Sequence, residues 1–223
     1  IIYIYIYIYK YRMNKKSYKK SYKKSYKNES YINTLSSKGA SKLLKKAKVN
    51  INEIKTYMES LQNNYVSLSN SYEKYMVKSH KSLKDKIKQR IISSKKVDNI
   101  NEVSNNIINT ITDYVRFTFI IPDKIYTREI KKIINKLLKY GCLDYKLSKR
   151  DNQWNRCDYK GVNIVYICKK FNNIPIEIQF HTPSSLYIKE KYIHPIYEQW
   201  RRECKYNNSK LCNEYIMNMK KYV

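Results

Sequence analysis

The chain has 223 residues, 42% of them hydrophobic and 14% aromatic, enough to bury one ordinary core with an appended segment and short for two full domains. Three Gly and four Pro exclude collagen-like, Gly/Ser-linker and Pro-rich architectures. No apolar run of about 18 residues is present, which excludes a membrane-spanning helix. The formal net charge of +28 comes from 46 basic and 18 acidic residues, and two readings of it stand open. A polyanionic partner, nucleic acid or an anionic surface, would favour such a balance. An AT-rich coding sequence would give it too, because 38 of the 46 are Lys and 8 are Arg, while Tyr, Asn and Ile rise alongside Lys. Arg, the better fork for phosphate, is not enriched. The five Cys (142, 157, 168, 204 and 212) contain no CxxC pair and show neither zinc nor disulfide-framework spacing. The expectation is five reduced thiols and a cytoplasmic setting, with a secreted effector compatible with the same residues.

The first nine residues alternate Ile and Tyr almost perfectly, a period of two with both faces apolar, so it assigns no inside. The first Met is Met13, and residues 1–12 are compatible with an extended reading frame. Next comes SYKKSYKKSYKNESY, a basic four-residue repeat without aliphatic residues, which cannot offset its own ordering entropy. It reads as a solvated tail or as an arm attracted to RNA or membrane, with Tyr able to stack on bases. Residues 1–50 carry 14 basic residues and one acid, a net of +13, leaving +15 for residues 51–223. The expected organisation is a low-complexity, disordered segment over residues 1–35 and a single domain over 36–223.

Globular patterning begins near Ser41. Ile51, Ile54, Met58, Leu61, Tyr65, Leu68, Tyr72 and Tyr75 recur every three or four residues, which predicts a helix of several turns. Further helices are predicted over 82–92 and 100–111. VRFTFIIP reads as a buried strand stopped by Pro122, and a helix through Ile130, Ile133, Ile134, Leu137 and Leu138 closes at Gly141. CLDYKL, VNIVYIC and IPIEIQF are predicted strands, the last two joined by the hairpin-sized KKFNN, and residues 183–204 return to helical spacing. Helices first and then β-α-β-β-β-α predict an α+β fold with a mixed or antiparallel sheet of four to five strands flanked by helices.

Three clusters can carry chemistry. In VKSHKSLKDKIKQR (residues 77–90), Lys78, Ser82 and Lys86 are four apart; on a helix they would share one face and grip a polyphosphate, although a Lys-rich face is also an ordinary solvated face. Asp113 heads the VRFTFII strand with Arg116 three residues on, a candidate Mg²⁺ ligand or a capping acid paired with Arg116. In IPIEIQFHT, Ile176, Ile178 and Phe180 face one way and Glu177, Gln179 and His181 the other. In a Lys-rich protein that polar row is a candidate active-site wall, with Glu177 as metal ligand or base and His181 able to contact phosphate. A half-exposed strand gives the same periodicity. His194 and Tyr197 lie on the last predicted helix. No nucleophile elbow, P-loop or three-residue metal set is present.

Taken in order, these clusters resemble the synthetase domain of the RelA/SpoT family. The family's R-x-K-x-x-x-S-x-x-x-K is matched at Lys78, Ser82 and Lys86, with Met76 at the Arg position. Asp113 matches the Asp heading a buried strand, with Arg116 and Thr118 where D-x-x-G-x-R has Gly and Arg. Tyr159, Lys160 and Gly161 echo G-Y-R-S-L-H, with Asn163 at the His position. E-I-Q-I-R-T appears as Glu177–Thr182 with His181 at the Arg position, and E-x-x-x-H-x-x-Y as Glu190, His194 and Tyr197. The resemblance covers residues 70–200 and implies a nucleotidyltransferase-like fold that transfers pyrophosphate from ATP to a nucleotide 3′-hydroxyl with Mg²⁺. It implies Asp113 and Glu177 as catalytic and metal-binding residues. Lys78, Ser82, Lys86, Arg116 and His181 would lie on the ATP phosphates, and Tyr159, Asn163 and Gln179 on an acceptor purine nucleotide. Transfer to RNA, and a non-catalytic basic RNA-binding module, are the rival expectations.

Overall fold

The computed structural model describes residues 2–94, 99–144, 151–152, 154, 160–203, 214, 217–219 and 221. Two compact units divide the chain, Ile1–Ser41 with His80–Ile108, and Lys42–Ser79 with Asn109–Val223. Helix α1, Ile2–Ser60, runs through both, so the helix expected from the Ile/Leu pattern also extends back through the segment expected as a tail. In the first unit, Ser36 and Ala40 of α1 are buried, as are Leu83, Ile87 and Ile91 of α3 (His80–Ser93) and Ser104 and Ile108 of α4 (Ile100–Asn109). Tyr31 donates to Asn101 Oδ1 at 2.7 Å, and Lys88 pairs with Glu29 at 3.1 Å.

In the second unit, Leu43, Ala47, Ile54, Met58 and Leu61 form the buried stripe of α1. The helix predicted to reach Tyr75 stops at Ser60 instead. The reason is local: Asn63 Oδ1 accepts the Tyr65 amide at 2.8 Å, and Gln62 Oε1 accepts the Leu68 amide at 2.9 Å. These side chains supply the backbone with turn partners that compete with a helix. Short β1 (Ser67–Leu68) and α2 (Tyr72–Tyr75) follow.

The sheet has β2 (Val115–Ile120), β3 (Cys142–Asp144), β4 (Asp151–Asn152), β5 (Val162–Cys168) and β6 (Ile174–His181) in the order β1-β2-β6-β5-β3, with β4 also on β5. β2 and β6 are parallel and the other pairs antiparallel, so the sheet is mixed and the fold is α+β as expected. β1 and β4, two residues each, escaped the sequence pattern because two residues carry no period. Helix α5 (Tyr126–Lys139) is closed just beyond its end by Gly141, whose φ of 87° lies in the left-handed region that favours glycine. Between β5 and β6, Asn172 and Asn173 both take positive φ, a conformation Asn tolerates better than most residues. After β6 come α6 (Pro183–Ile188), a π-helical segment (Lys189–Ile193) and α7 (His194–Glu203).

Cys142 and Cys168 are register partners on β3 and β5 and form a disulfide. This corrects the expectation of five free thiols. Twenty-six positions separate the two, so no local spacing marks the pair; antiparallel pairing alone makes them neighbours.

Candidate active site

β2 and β6 run parallel with Val115 beside Ile176, Phe117 beside Ile178 and Phe119 beside Phe180. All six are buried and form the apolar back of the sheet. The alternate residues form the front: Arg116 beside Glu177, Thr118 beside Gln179, Ile120 beside His181, with Asn163 of β5 opposite Gln179. The period of two that suggested a polar wall on β6 therefore extends across two neighbouring strands.

Residues 76–78 lie along the start of β2. Arg116 donates its amide to Met76 O at 2.8 Å, Lys78 donates to Tyr114 O at 3.0 Å, and Val77 bridges Val115. This pairing carries the Lys78 ammonium to Asp113, with which it forms an ion pair. It also corrects the expected helical face of Lys78, Ser82 and Lys86. Lys78 precedes α3 because its backbone is engaged with β2, whereas Ser82 and Lys86 lie on α3 in the first unit.

Asp113 and Glu177, 64 positions apart in the chain, meet at one guanidinium. Arg116 Nε is 2.5 Å from Glu177 Oε2 and its Nη2 3.7 Å from Asp113 Oδ2. Gln179 Nε2 donates to Glu177 Oε2 at 3.3 Å, and Thr118 Oγ1 donates to Gln179 Oε1 at 3.4 Å. Lys189 then reaches the row from the helical side, donating to Gln179 Oε1 at 2.8 Å and standing 3.3 Å from His181 Nε2. Two carboxylates and three cations are thus joined along one face of the sheet.

His181 is 0% exposed. Burial pushes its ring down to about 3, with the Lys189 charge acting in the same direction, so it is neutral near neutral pH. Nε2 faces the Lys189 ammonium, and Nδ1 is 3.1 Å from Ser185 Oγ. Gly161 packs against this ring: a Cβ there would come within 2.8 Å of His181 Cε1. Burial lowers the Lys189 ammonium to about 8, with repulsion from Arg116 adding and Glu177 and Glu190 opposing.

Among the described residues no group of three or more His, Cys, Asp and Glu is placed to hold a metal ion. Asp113 and Glu177 are the two carboxylates of the row, and the Arg116 guanidinium reaches both.

No family model matches the chain, and no curated protein matches it in sequence. Among solved structures, the chain is similar to the type VI effector Tas1 crystallised with its immunity protein, at 20% identity and a TM-score of 0.45, covering 83% of this chain and 94% of that one. It is similar to a GTP pyrophosphokinase family protein from Streptococcus pneumoniae at 13% identity and a TM-score of 0.41, covering 81% and 83%. Small alarmone synthetase 1 from Bacillus subtilis gives 14% identity and a TM-score of 0.37, covering 82% and 86%. With TM-scores below 0.5, any assignment of chemistry rests on the site's own side chains.

Of the sequence-derived candidates, Lys78, Asp113, Arg116, Glu177, Gln179 and His181 belong to one connected network, and Asn163 stands in register beside it. Tyr159 lies outside the described residues. Glu190 and His194 are exposed, as is Tyr197 at 40%. Sequence reasoning named Thr118 only as a departure from a motif, and it missed Lys189. Strand alternation from Arg116 points to Thr118, but among 38 lysines no pattern marked Lys189. No helix among the described residues is long and apolar enough to cross a membrane.

Proposed function

We propose that this chain is a nucleotide pyrophosphokinase of the RelA/SpoT type, which moves the β,γ-diphosphate of ATP to the 3′-hydroxyl of a purine nucleotide. The supporting observation is the convergence of Asp113 and Glu177 on Arg116, with Lys78 on the same acid. Phosphoryl-type transfer needs both signs in one place: cations for the charge on the phosphate oxygens, and carboxylates for a metal and a proton. In the reaction the acceptor oxygen bonds to the β-phosphorus, the bond from that phosphorus to the α,β-bridging oxygen breaks, and AMP leaves with the electron pair. The hydroxyl proton passes to Glu177. Lys78 and Arg116 exchange part of their carboxylate contact for phosphate oxygens. Asp113 and Glu177 would hold Mg²⁺, which supplies charge neutralisation at those oxygens when bound.

The test incubates the full chain with γ-labelled ATP and Mg²⁺ and offers GDP, GTP, ADP, ATP or tRNA. Label on a small nucleotide with equimolar AMP is the expected result. Label on RNA would favour the RNA acceptor, a reading supported by the net +15 of residues 51–223. Salt-sensitive RNA binding without AMP formation would replace the enzyme with a binding module.

A further inference from the structure

Lys189 lies in none of the patterns that pointed to the site, yet its side chain closes the polar row on the helical side. Its position is built by the chain that follows β6. Thr182 Oγ1 accepts the Ser185 amide at 3.2 Å and Ser185 Oγ accepts the Thr182 amide at 3.0 Å, a reciprocal capping arrangement that fixes where α6 begins. The helix then widens into the π-helical segment at Lys189, a local feature frequent at functional sites. From there the ammonium returns to the sheet, 2.8 Å from Gln179 Oε1 and 3.3 Å from His181 Nε2. Both of these acceptors are neutral.

The neutrality of His181 gives this arrangement its meaning. An ammonium can donate to Nε2 only when that nitrogen keeps its lone pair, which places the ring proton on Nδ1, facing Ser185 Oγ. The His ring is therefore an acceptor that aims a cation, not a cation itself. We propose that Lys189 is a phosphate-binding residue of this polar row, its ammonium aimed by Gln179 and His181 at a phosphate group of the bound nucleotide. The inference rests on the transfer reading only in taking the ligand to carry phosphate. Burial holds the Lys189 ammonium down to about 8, a direction that a nearby anion would reverse.

The test is calorimetric binding of sodium tripolyphosphate and, separately, of adenosine, at pH 7 and fixed ionic strength. Wild type is compared with Lys189→Met, Lys189→Arg and Lys131→Met, the last removing one exposed charge from α5. Lys189→Met should weaken tripolyphosphate binding by about tenfold or more, as expected for a lost charge-assisted hydrogen bond. Lys189→Arg should stay within about threefold of wild type, a smaller loss because the charge is kept. Lys131→Met should match wild type, and adenosine binding should not change in any variant. Lys189→Gln, which drops the charge and keeps an amide donor for His181, replaces Lys189→Met if that variant fails to fold. Unchanged tripolyphosphate affinity in Lys189→Met, or an equal loss in Lys131→Met, overturns the role of Lys189 and leaves the transfer reading standing. Wild type that binds no tripolyphosphate overturns both.

Discussion

Arg116 and Glu177 are register partners on the parallel strands β2 and β6, and the Arg116 Nε lies 2.5 Å from Glu177 Oε2. The same guanidinium places Nη2 3.7 Å from Asp113 Oδ2. Two carboxylates brought close repel unless a cation stands between them, and in this chain that cation is a side chain. Arg116 therefore bridges the two acids across the start of β2 and β6.

Replacing Arg116 with Met should destabilise the fold by about 1–3 kcal/mol, since it leaves two half-buried carboxylates without their shared donor. Urea unfolding measures the loss. The double variant Arg116→Met with Glu177→Gln should recover part of it, and a coupling energy of zero in the cycle would show the two residues to be merely adjacent.

Asp113→Asn and Glu177→Gln keep shape and remove charge. Each should reduce pyrophosphate transfer by at least about a hundredfold while leaving cooperative unfolding intact. Mg²⁺ with ATP should raise the melting temperature of wild type and have a smaller effect on either variant, because stabilisation follows occupancy of the folded state. Full activity in both variants would remove these acids from the chemistry.

Burial pushes the His181 ring from its ordinary value of 6.5 down to about 3 in the fold. A group whose folded value is depressed contributes stability that is present above its unfolded value and is lost as pH falls through the folded value. The melting temperature should therefore drop between pH 6.5 and 3. His181→Asn should flatten that part of the profile while lowering stability near neutral pH. An identical acid profile for wild type and variant would show that His181 is not the group responsible.

The Cys142–Cys168 disulfide predicts that peptides carrying these two residues escape alkylation unless the protein is first reduced. Closing a loop with a sequence separation of 26 should contribute about 3 kcal/mol through the unfolded chain. Reductant should lower the melting temperature correspondingly. Alkylation of both residues in the unreduced, unfolded protein would contradict the bond.

Gly161→Ala would set a methyl group 2.8 Å from His181 Cε1 and 3.0 Å from the Phe180 carbonyl oxygen. Backbone on one side and a fixed ring on the other leave little room to yield, so the cost should be about 1–3 kcal/mol, as for overpacking. Because His181 aims Lys189, tripolyphosphate affinity should fall in the same variant.

Periodicity in the sequence was enough to place β2, β5, β6 and α5, because alternation and helical spacing record which face of an element is buried, and burial is decided residue by residue along one element. The same logic found Glu177, Gln179 and His181 as one row, and motif order singled out Asp113, Arg116 and Lys78. What tertiary structure alone decided was which row stands beside which. Parallel pairing set Arg116 against Glu177; residues 76–78 lying along β2 took Lys78 off the helix and onto Asp113; antiparallel pairing of β3 with β5 joined two cysteines that no spacing connected; and the turn of chain after β6 returned Lys189 to His181. A period describes a residue's neighbours within its own element. Partners contributed by another element depend on register and packing, which arise only when the elements meet, and the protonation of His181 follows from that burial.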